Sequence, residues 1–207
     1  MQRERRFWET CDPAFAHVEI KGHLVSEANL ESTWSRPFLD LIQWEGLSVL
    51  DYGIGNGLLG KVLIEKKRAR KYIGVDIAKR SMEAARNKLE GLPAEILSDE
   101  EFYSSDIKAD VFVSQACVQY FPTISYLDTF LSKIAEVEPS VILLQIAYSP
   151  QTRVTRGRNA PMKPSTVNRS CLTNAEYISR RLPDYTCEDR FAGAAPDYIF
   201  LALVRKT

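Results

Sequence analysis

The chain has 207 residues, 45% of them hydrophobic, and its 27 basic and 27 acidic side chains give a formal net charge of zero. This length suits one globular domain with a substantial core, and the balanced charge excludes a strong overall field toward nucleic acid or an anionic membrane. Its apolar runs stay well below the roughly 20 residues of a membrane span, and the arginine-rich start leads into no signal-peptide core, so we expect a cytoplasmic protein.

The cysteines are scattered along the chain without a Cys-x-x-Cys pair, and the only histidines are His17 and His23. This distribution supports neither a disulfide framework nor a zinc site, so we expect no bound metal. The same two histidines are candidates for a general base, because the pKa of an unperturbed histidine lies near neutrality.

Residues 1–45 precede the first predicted strand and form a segment of their own. The segment is rich in aromatic side chains, and a helical pattern runs from about residue 27 to residue 43. Within this segment, Pro37 suits the first turn of a helix. Residues 46–207 are predicted to form the main domain.

Apolar runs alternate with helical patterns through the main domain, which predicts an α/β fold with a mostly parallel sheet and helices on both faces. The runs lie at about 47–52, 71–76, 94–97, 110–114, 140–147 and 198–204, and the helical patterns at 58–69, 79–90 and 123–136. The run VILLQIA indicates a strand covered on both faces. Near the C-terminus, Thr173-Asn174-Ala175-Glu176 predicts a capping box that opens a helix through Leu182.

The most informative stretch is VLDYGIGNG, residues 49–57, where the first strand runs into Asp51 and then into Gly53, Gly55 and Gly57. Glycines at this spacing bring bare backbone against a ligand, and the helix that follows offers unpaired N–H groups. The next strand, YIGVD, ends in Asp76, which is well placed to accept two hydrogen bonds from a ribose diol.

The same stretch also fits a dinucleotide-binding motif. Residues 55–60 read Gly-Asn-Gly-Leu-Leu-Gly and fit the Gly-x-Gly-x-x-Gly fingerprint. In a nicotinamide-binding unit, however, the first glycine directly follows the strand, and that position is Gly53, with Leu58 rather than glycine five residues on. Single-domain nicotinamide-dependent reductases also need Tyr-x-x-x-Lys, and no tyrosine of this chain has lysine four residues later.

Asp51 with its three glycines, followed by Asp76 at the next strand end, resembles the first two motifs of the class I S-adenosylmethionine-dependent methyltransferases. The resemblance covers roughly residues 45–147. It implies a doubly wound, Rossmann-like sheet of seven mostly parallel strands with an antiparallel C-terminal strand, and S-adenosylmethionine as cofactor. In that family an N-terminal segment such as 1–45 often lies over the cofactor as a lid.

The resemblance also implies roles for individual residues. Asp99, with Glu100 or Phe102 beside it, is expected near the adenine, although SDEEF also fits a solvated loop. Backbone groups after the fourth strand are expected near the methionine part. The implied cofactor-binding residues are Asp51, Gly53, Gly55, Gly57, Asp76, Ile77, Asp99, Glu100, Gln115 and Ala116.

The methyl acceptor is less clearly indicated. Where enzymes that methylate nucleic-acid bases carry Asn/Asp-Pro-Pro-Tyr, residues 114–117 read Ser-Gln-Ala-Cys, which disfavours base methylation. The link formed by residues 148–172 holds several cations and no acid, so it is either a solvated connector or a site for an anionic substrate. Candidate substrate-binding residues are Tyr148, Arg153, Arg156, Arg158 and Arg169, and Tyr120 and Tyr148 join the histidines as candidates for a general base.

Methyl transfer from a sulfonium requires alignment and exclusion of water rather than one fixed catalytic residue. We therefore expect a methyltransferase that acts on an oxygen or nitrogen of a small molecule bound between residues 1–45 and the 148–172 link. A non-catalytic methyltransferase-like subunit that binds a protein partner remains an alternative. The catalytic residue and the oligomeric state are not specified by the sequence.

Overall fold

The computed structural model describes residues 39–154, 171–192 and 198–207. Most of the predicted 1–45 segment, including His17 and His23, lies outside the described residues. So do Arg156, Arg158 and Arg169 of the 148–172 link. The described chain divides into two compact units, the first ending at Ser105 and the second beginning at Asp106.

The first unit is built from three parallel strands and the helices that follow them. In chain order its elements are β1 (Ser48–Tyr52), α1 (Leu58–Glu65), β2 (Lys71–Asp76), α2 (Lys79–Lys88), β3 (Ala94–Ser98) and α3 (Asp99–Ser104). The strands lie in the order β3-β2-β1. Every residue of β1 is buried, as expected for a strand that is covered on both faces. The carboxyl ends of these strands therefore meet at one edge.

The second unit continues with parallel and antiparallel strands. Its elements are β4 (Val111–Ser114), a 3₁₀ helix (Val118–Tyr120), α4 (Ile124–Val137), β5 (Val141–Ala147), β6 (Arg153–Val154), β7 (Cys171–Leu172), α5 (Ala175–Arg181), β8 (Tyr185–Ala192) and β9 (Tyr198–Arg205). The order is β4-β5-β9-β8, in which β4 and β5 are parallel and β9 is antiparallel to both of its neighbours. The short strands β6 and β7 pair separately.

The predicted fold class is confirmed. The longer strands form a seven-stranded, mixed and mostly parallel sheet with an antiparallel C-terminal strand. β5 lies between β4 and β9 and is almost wholly buried, as its continuous apolar sequence indicates. The helical pattern predicted at 123–136 corresponds to α4, on which Leu127, Phe130, Leu131 and Ile134 are each fully buried.

The predicted capping box at residues 173–176 is wrong by one residue. Asn174, not Thr173, caps α5, and its side chain accepts a hydrogen bond from the Tyr177 N–H at 2.9 Å. Thr173 is engaged elsewhere, because its N–H donates to the Ala147 carbonyl at 3.0 Å and its own carbonyl accepts from the Ser149 N–H at 2.9 Å. This extended pairing removes Thr173 from the helix terminus.

In the described ranges, no helix is both long enough and apolar enough to cross a membrane.

Candidate functional site

The glycine loop after β1 takes a conformation that its sequence makes accessible. Gly53, Gly55 and Gly57 have φ angles of 89°, 55° and 77°, in the left-handed region that side chains with a Cβ rarely adopt. The N–H groups of Gly53 and Ile54 both donate to the Val75 carbonyl, at 2.8 and 3.2 Å. The loop is thereby folded over the end of β2.

Gly57 also lets the loop pack closely on α2. A Cβ at this position would lie 3.0 Å from the Cβ of Ala85 and 3.1 Å from its Cα. α1 begins immediately afterwards at Leu58, with Gly57 as its N-cap residue. The glycine spacing therefore serves both the turn and the contact between loop and helix.

Asp76 connects the glycine loop to the start of α2. One carboxylate oxygen accepts from the Gly55 N–H and the other from the Ala78 N–H, both at 2.9 Å. Burial raises the pKa of Asp76 to about 6, against the opposing effect of the Ala78, Gly55 and Ile77 N–H groups, and Asp99 raises it further. Because an ionised carboxylate has about four acceptor sites, Asp76 can still accept a hydrogen bond from a ligand.

Asp51 lies on β1 with only 3% of its surface exposed. The hydroxyl of the fully buried Tyr72 donates to Asp51 Oδ2 at 2.6 Å. Burial raises the pKa of Asp51 to about 7; the Tyr72 hydrogen bond opposes this rise and Asp76 adds to it. Gly60 makes room for the tyrosine, because a Cβ there would lie 2.6 Å from the Tyr72 ring. Sequence analysis missed this tyrosine, which resembles any aromatic strand residue.

The SDEEF segment is helical rather than a solvated loop. Ser98 caps α3 in a reciprocal capping box with Glu101. Asp99, the first residue of the helix, is 1% exposed and accepts a hydrogen bond from the Tyr52 hydroxyl. Phe102 is fully buried against the Tyr52 ring, whereas Glu100 is exposed.

The first unit thus brings together the predicted site residues of its three strand ends. Asp51 is the last residue but one of β1, Asp76 ends β2 and Asp99 follows β3. Asp76 interacts electrostatically with the other two acids. The glycine loop lies among them through its hydrogen bond to Asp76. Such an edge favours ligands that bring hydroxyl or amino donors or positive charge.

The raised pKa of the buried Asp51 leads to a prediction about how stability depends on pH. The pKa of Asp51 is about 7 in the folded chain, against 3.8 for an unperturbed aspartate, so the folded state holds an extra proton between these values. This extra proton on Asp51 contributes fully to the free energy of unfolding below about pH 4, and the contribution is lost as the pH rises to about 7. We expect Asp51→Asn, which cannot ionise, to have a shallower loss of stability over this range in urea titrations. Parallel pH profiles for the two proteins would contradict this assignment.

In the second unit, the turn after β4 contains Gln115 and Ala116. Ala116 has a φ of 51°, an uncommon conformation for a residue other than glycine. The following 3₁₀ helix ends at Tyr120, which is half-buried. Tyr148, directly after β5, is 45% exposed.

The base of the 148–172 link is held by paired strands and side-chain hydrogen bonds. β6 pairs with β7, so that Arg153 lies opposite Leu172. The Thr152 and Thr173 hydroxyls are 3.0 Å apart, and the Asn174 amide donates to the Ser149 and Pro150 carbonyls. The two ends of the link therefore lie side by side, and the exposed Arg153 is in the strand at its first end.

Comparisons of the sequence alone find no match, either to a model of a known protein family or to a curated protein. Solved structures do match. The magnesium protoporphyrin IX methyltransferase ChlM from Synechocystis PCC 6803, with bound S-adenosylmethionine, has a TM-score of 0.69 at 15% identity, over 99% of this chain and 96% of that one. The same enzyme with bound S-adenosylhomocysteine matches equally well.

Two further solved structures, of other methyltransferases, also match. The mitomycin 7-O-methyltransferase MmcR has a TM-score of 0.62 at 15% identity, over 86% of this chain and 55% of that one. A putative methyltransferase in complex with the Haloferax volcanii Trm112 methyltransferase activator has a TM-score of 0.63 at 13% identity, over 87% and 94%. These likenesses establish that the chain has the fold of class I S-adenosylmethionine-dependent methyltransferases, and they confirm the resemblance at the level of fold.

Proposed function

We propose that the chain is an S-adenosylmethionine-dependent methyltransferase that acts on an oxygen or nitrogen of a small molecule. The observation that carries the proposal is the hydrogen bond between the Gly55 N–H and Asp76, which joins the glycine loop to the acid at the end of β2. This arrangement occurs in a chain with a methyltransferase fold. ChlM, which shares that fold, was solved with S-adenosylmethionine and with S-adenosylhomocysteine.

The residues of the first unit fit the proposed cofactor. Asp76 retains acceptor capacity for a ribose hydroxyl, and the glycines of the loop present backbone without a Cβ. Asp99 lies at the next strand end, where it suits an exocyclic amino donor. The negative charge of the ionised acids at this edge favours a ligand that carries an ammonium and a sulfonium group.

When bound, the cofactor supplies a methyl group activated by a positively charged sulfur. The residues of this chain then have to hold the nucleoside, align the acceptor and exclude water. A neutral hydroxyl or amine acceptor must also lose a proton. Among the described residues, Tyr120 and Tyr148 are the proposed candidates to accept or relay it, and they join His17 and His23.

A methyl-donor assay tests this function. The purified chain is incubated with S-adenosylmethionine and a panel of small phenols, carboxylic acids and amines, and S-adenosylhomocysteine is measured as product. Acceptor-dependent product formation by the lone chain is expected for at least one class. Binding of S-adenosylmethionine without turnover of any acceptor would contradict the proposed catalytic role.

We further propose an anionic acceptor, because the 148–172 link carries Arg153, Arg156, Arg158, Lys163 and Arg169 without an acidic residue. Arginine binds carboxylate and phosphate groups through two parallel hydrogen bonds. Single alanine substitutions of the four arginines should leave cofactor affinity unchanged, while at least one lowers kcat/KM by about tenfold or more. Arg180→Ala is the matched control, since Arg180 is exposed on α5 and pairs with Glu176. Unchanged kcat/KM in all four variants would show that the link is a solvated connector.

A partner-dependent role is the second candidate, because one protein of this fold was solved in complex with a methyltransferase activator. Under this alternative the chain binds S-adenosylmethionine but is inactive until a protein partner is added. Size-exclusion chromatography of the active fraction separates the two candidates. A nicotinamide-dependent reductase is tested by titration with NADH and NADPH, for which we expect no binding.

A further inference from the structure

Tyr52 lies between Asp51 and Gly53, yet it acts at the far strand of the first unit. Its hydroxyl donates a hydrogen bond to Asp99 Oδ1. Both side chains are buried, with 5% of Tyr52 and 1% of Asp99 exposed. The Tyr52 ring is also fixed by the fully buried Phe102, with 5.2 Å between the ring centroids.

The position of β2 makes this contact notable. β2 lies between β1 and β3, with Tyr52 opposite Val75 and Asp76 opposite Ser98. The Tyr52 side chain must therefore cross the end of β2 to reach Asp99. The glycine loop follows Tyr52 directly and is bound to Asp76 on β2. Tyr52 and the glycine loop therefore hold the acids at the ends of the other two strands by hydrogen bonds, Asp99 after β3 and Asp76 on β2.

We propose that Tyr52 is a positioning residue that sets the base specificity of the nucleoside site. Its hydroxyl orients the Asp99 carboxylate so that this carboxylate accepts a hydrogen bond from the group at position 6 of a bound purine. A carboxylate can only accept hydrogen bonds, so it favours the amino group of adenine over the oxo group of hypoxanthine. This inference rests on the proposed function, because it assumes a bound nucleoside.

Loss of the hydroxyl should weaken this discrimination. Without the Tyr52 hydroxyl, the Asp99 carboxylate loses the hydrogen bond that orients it and can turn away from the position in which it accepts from the adenine amino group. An analogue that leaves a buried polar group of the site unpaired is strongly rejected. The wild-type preference for adenine should therefore be large, on the order of 100-fold. A residue with a merely structural role would weaken both ligands equally and leave their ratio unchanged.

The experiment measures the dissociation constants of S-adenosylhomocysteine and S-inosylhomocysteine by calorimetry. Tyr52→Phe keeps the ring on Phe102 and removes only the hydroxyl, and it should reduce the preference for the adenosyl ligand about tenfold or more. Asp99→Asn, whose amide can donate as well as accept, should reduce it similarly. Tyr103→Phe is the matched control. It removes a hydroxyl from the second tyrosine whose ring contacts Phe102, and it should leave the ratio of the two dissociation constants unchanged.

The outcomes separate the two levels of the proposal. If Asp99→Asn loses the preference and Tyr52→Phe keeps it, Tyr52 does not position the acid. If both variants keep the preference, Asp99 does not recognise the base, and the inference is also wrong although the wild type binds a nucleoside. If the wild type binds neither compound, the proposed function itself fails. Thermal unfolding of each variant confirms that it is folded.

Discussion

Replacement of Asp76 by alanine is expected to weaken S-adenosylhomocysteine binding by about 10- to 150-fold, because the substitution removes an acceptor from both the ligand and the glycine loop. The ribose hydroxyls lose the carboxylate that accepts their hydrogen bonds. The Gly55 and Ala78 N–H groups lose the same acceptor, so the glycine loop is no longer attached to the end of β2.

Calorimetry on the variant and on Glu83→Ala measures this effect. Glu83 is an exposed acid on α2 in the same unit, so its removal changes the net charge by the same amount without touching the loop. The control should bind as tightly as the wild type. Equal affinities for wild type and Asp76→Ala would remove Asp76 from the nucleoside site.

Replacement of Gly55 by valine is expected to abolish cofactor binding, with a loss of more than about 100-fold. A β-branched residue is strained at a φ of 55°, and we expect its side chain to collide with the bound cofactor. The Gly55 N–H would also move away from Asp76. The fold should persist, because the loop lies at the edge of the sheet.

Gly46→Val is a matched control for the backbone strain. Gly46 has a φ of 77°, and a Cβ there would meet no atom within 4 Å. Both variants should therefore lose stability by a similar amount, on the order of 1 kcal/mol, whereas only Gly55→Val should lose the cofactor. Binding retained by Gly55→Val would mean that the glycine motif was interpreted in the wrong frame.

The sequence predicts the parts of this site that depend on local pattern. The glycines after β1 and Asp76 at the end of β2 are recognisable because strand, turn and helix follow one another within a short stretch. The burial pattern of α4 and the continuous apolar sequence of β5 predict their packing for the same reason.

The contacts of Tyr52 and Tyr72 were not predictable in this way. A tyrosine in a strand is most simply explained by packing and strand propensity, and nothing local shows which acid its hydroxyl reaches. The helix cap at Asn174 has the same cause, since Thr173 fits a cap equally well until its pairing with Ala147 and Ser149 is known. In each case a contact distant in sequence decides between locally equivalent possibilities.

The acceptor is harder to predict than the cofactor for a chemical reason. A sulfonium already activates its methyl group, so the protein can accelerate transfer by alignment, and no fixed set of acid and base residues is required. The predicted substrate contacts also rest on the 148–172 link, of which the structure describes only the ends, including Tyr148 and Arg153. Assignment of the acceptor therefore depends on the methyl-donor assay.

The central claim is that the first unit binds S-adenosylmethionine through the glycine loop and Asp76. Calorimetric titration of the wild-type chain with S-adenosylmethionine, in parallel with Asp76→Ala, tests it most directly. We predict one site per chain with a dissociation constant on the order of micromolar to tens of micromolar, weakened about tenfold or more by the substitution. No binding to the folded wild-type chain at about millimolar ligand, or equal binding by both proteins, would contradict the account.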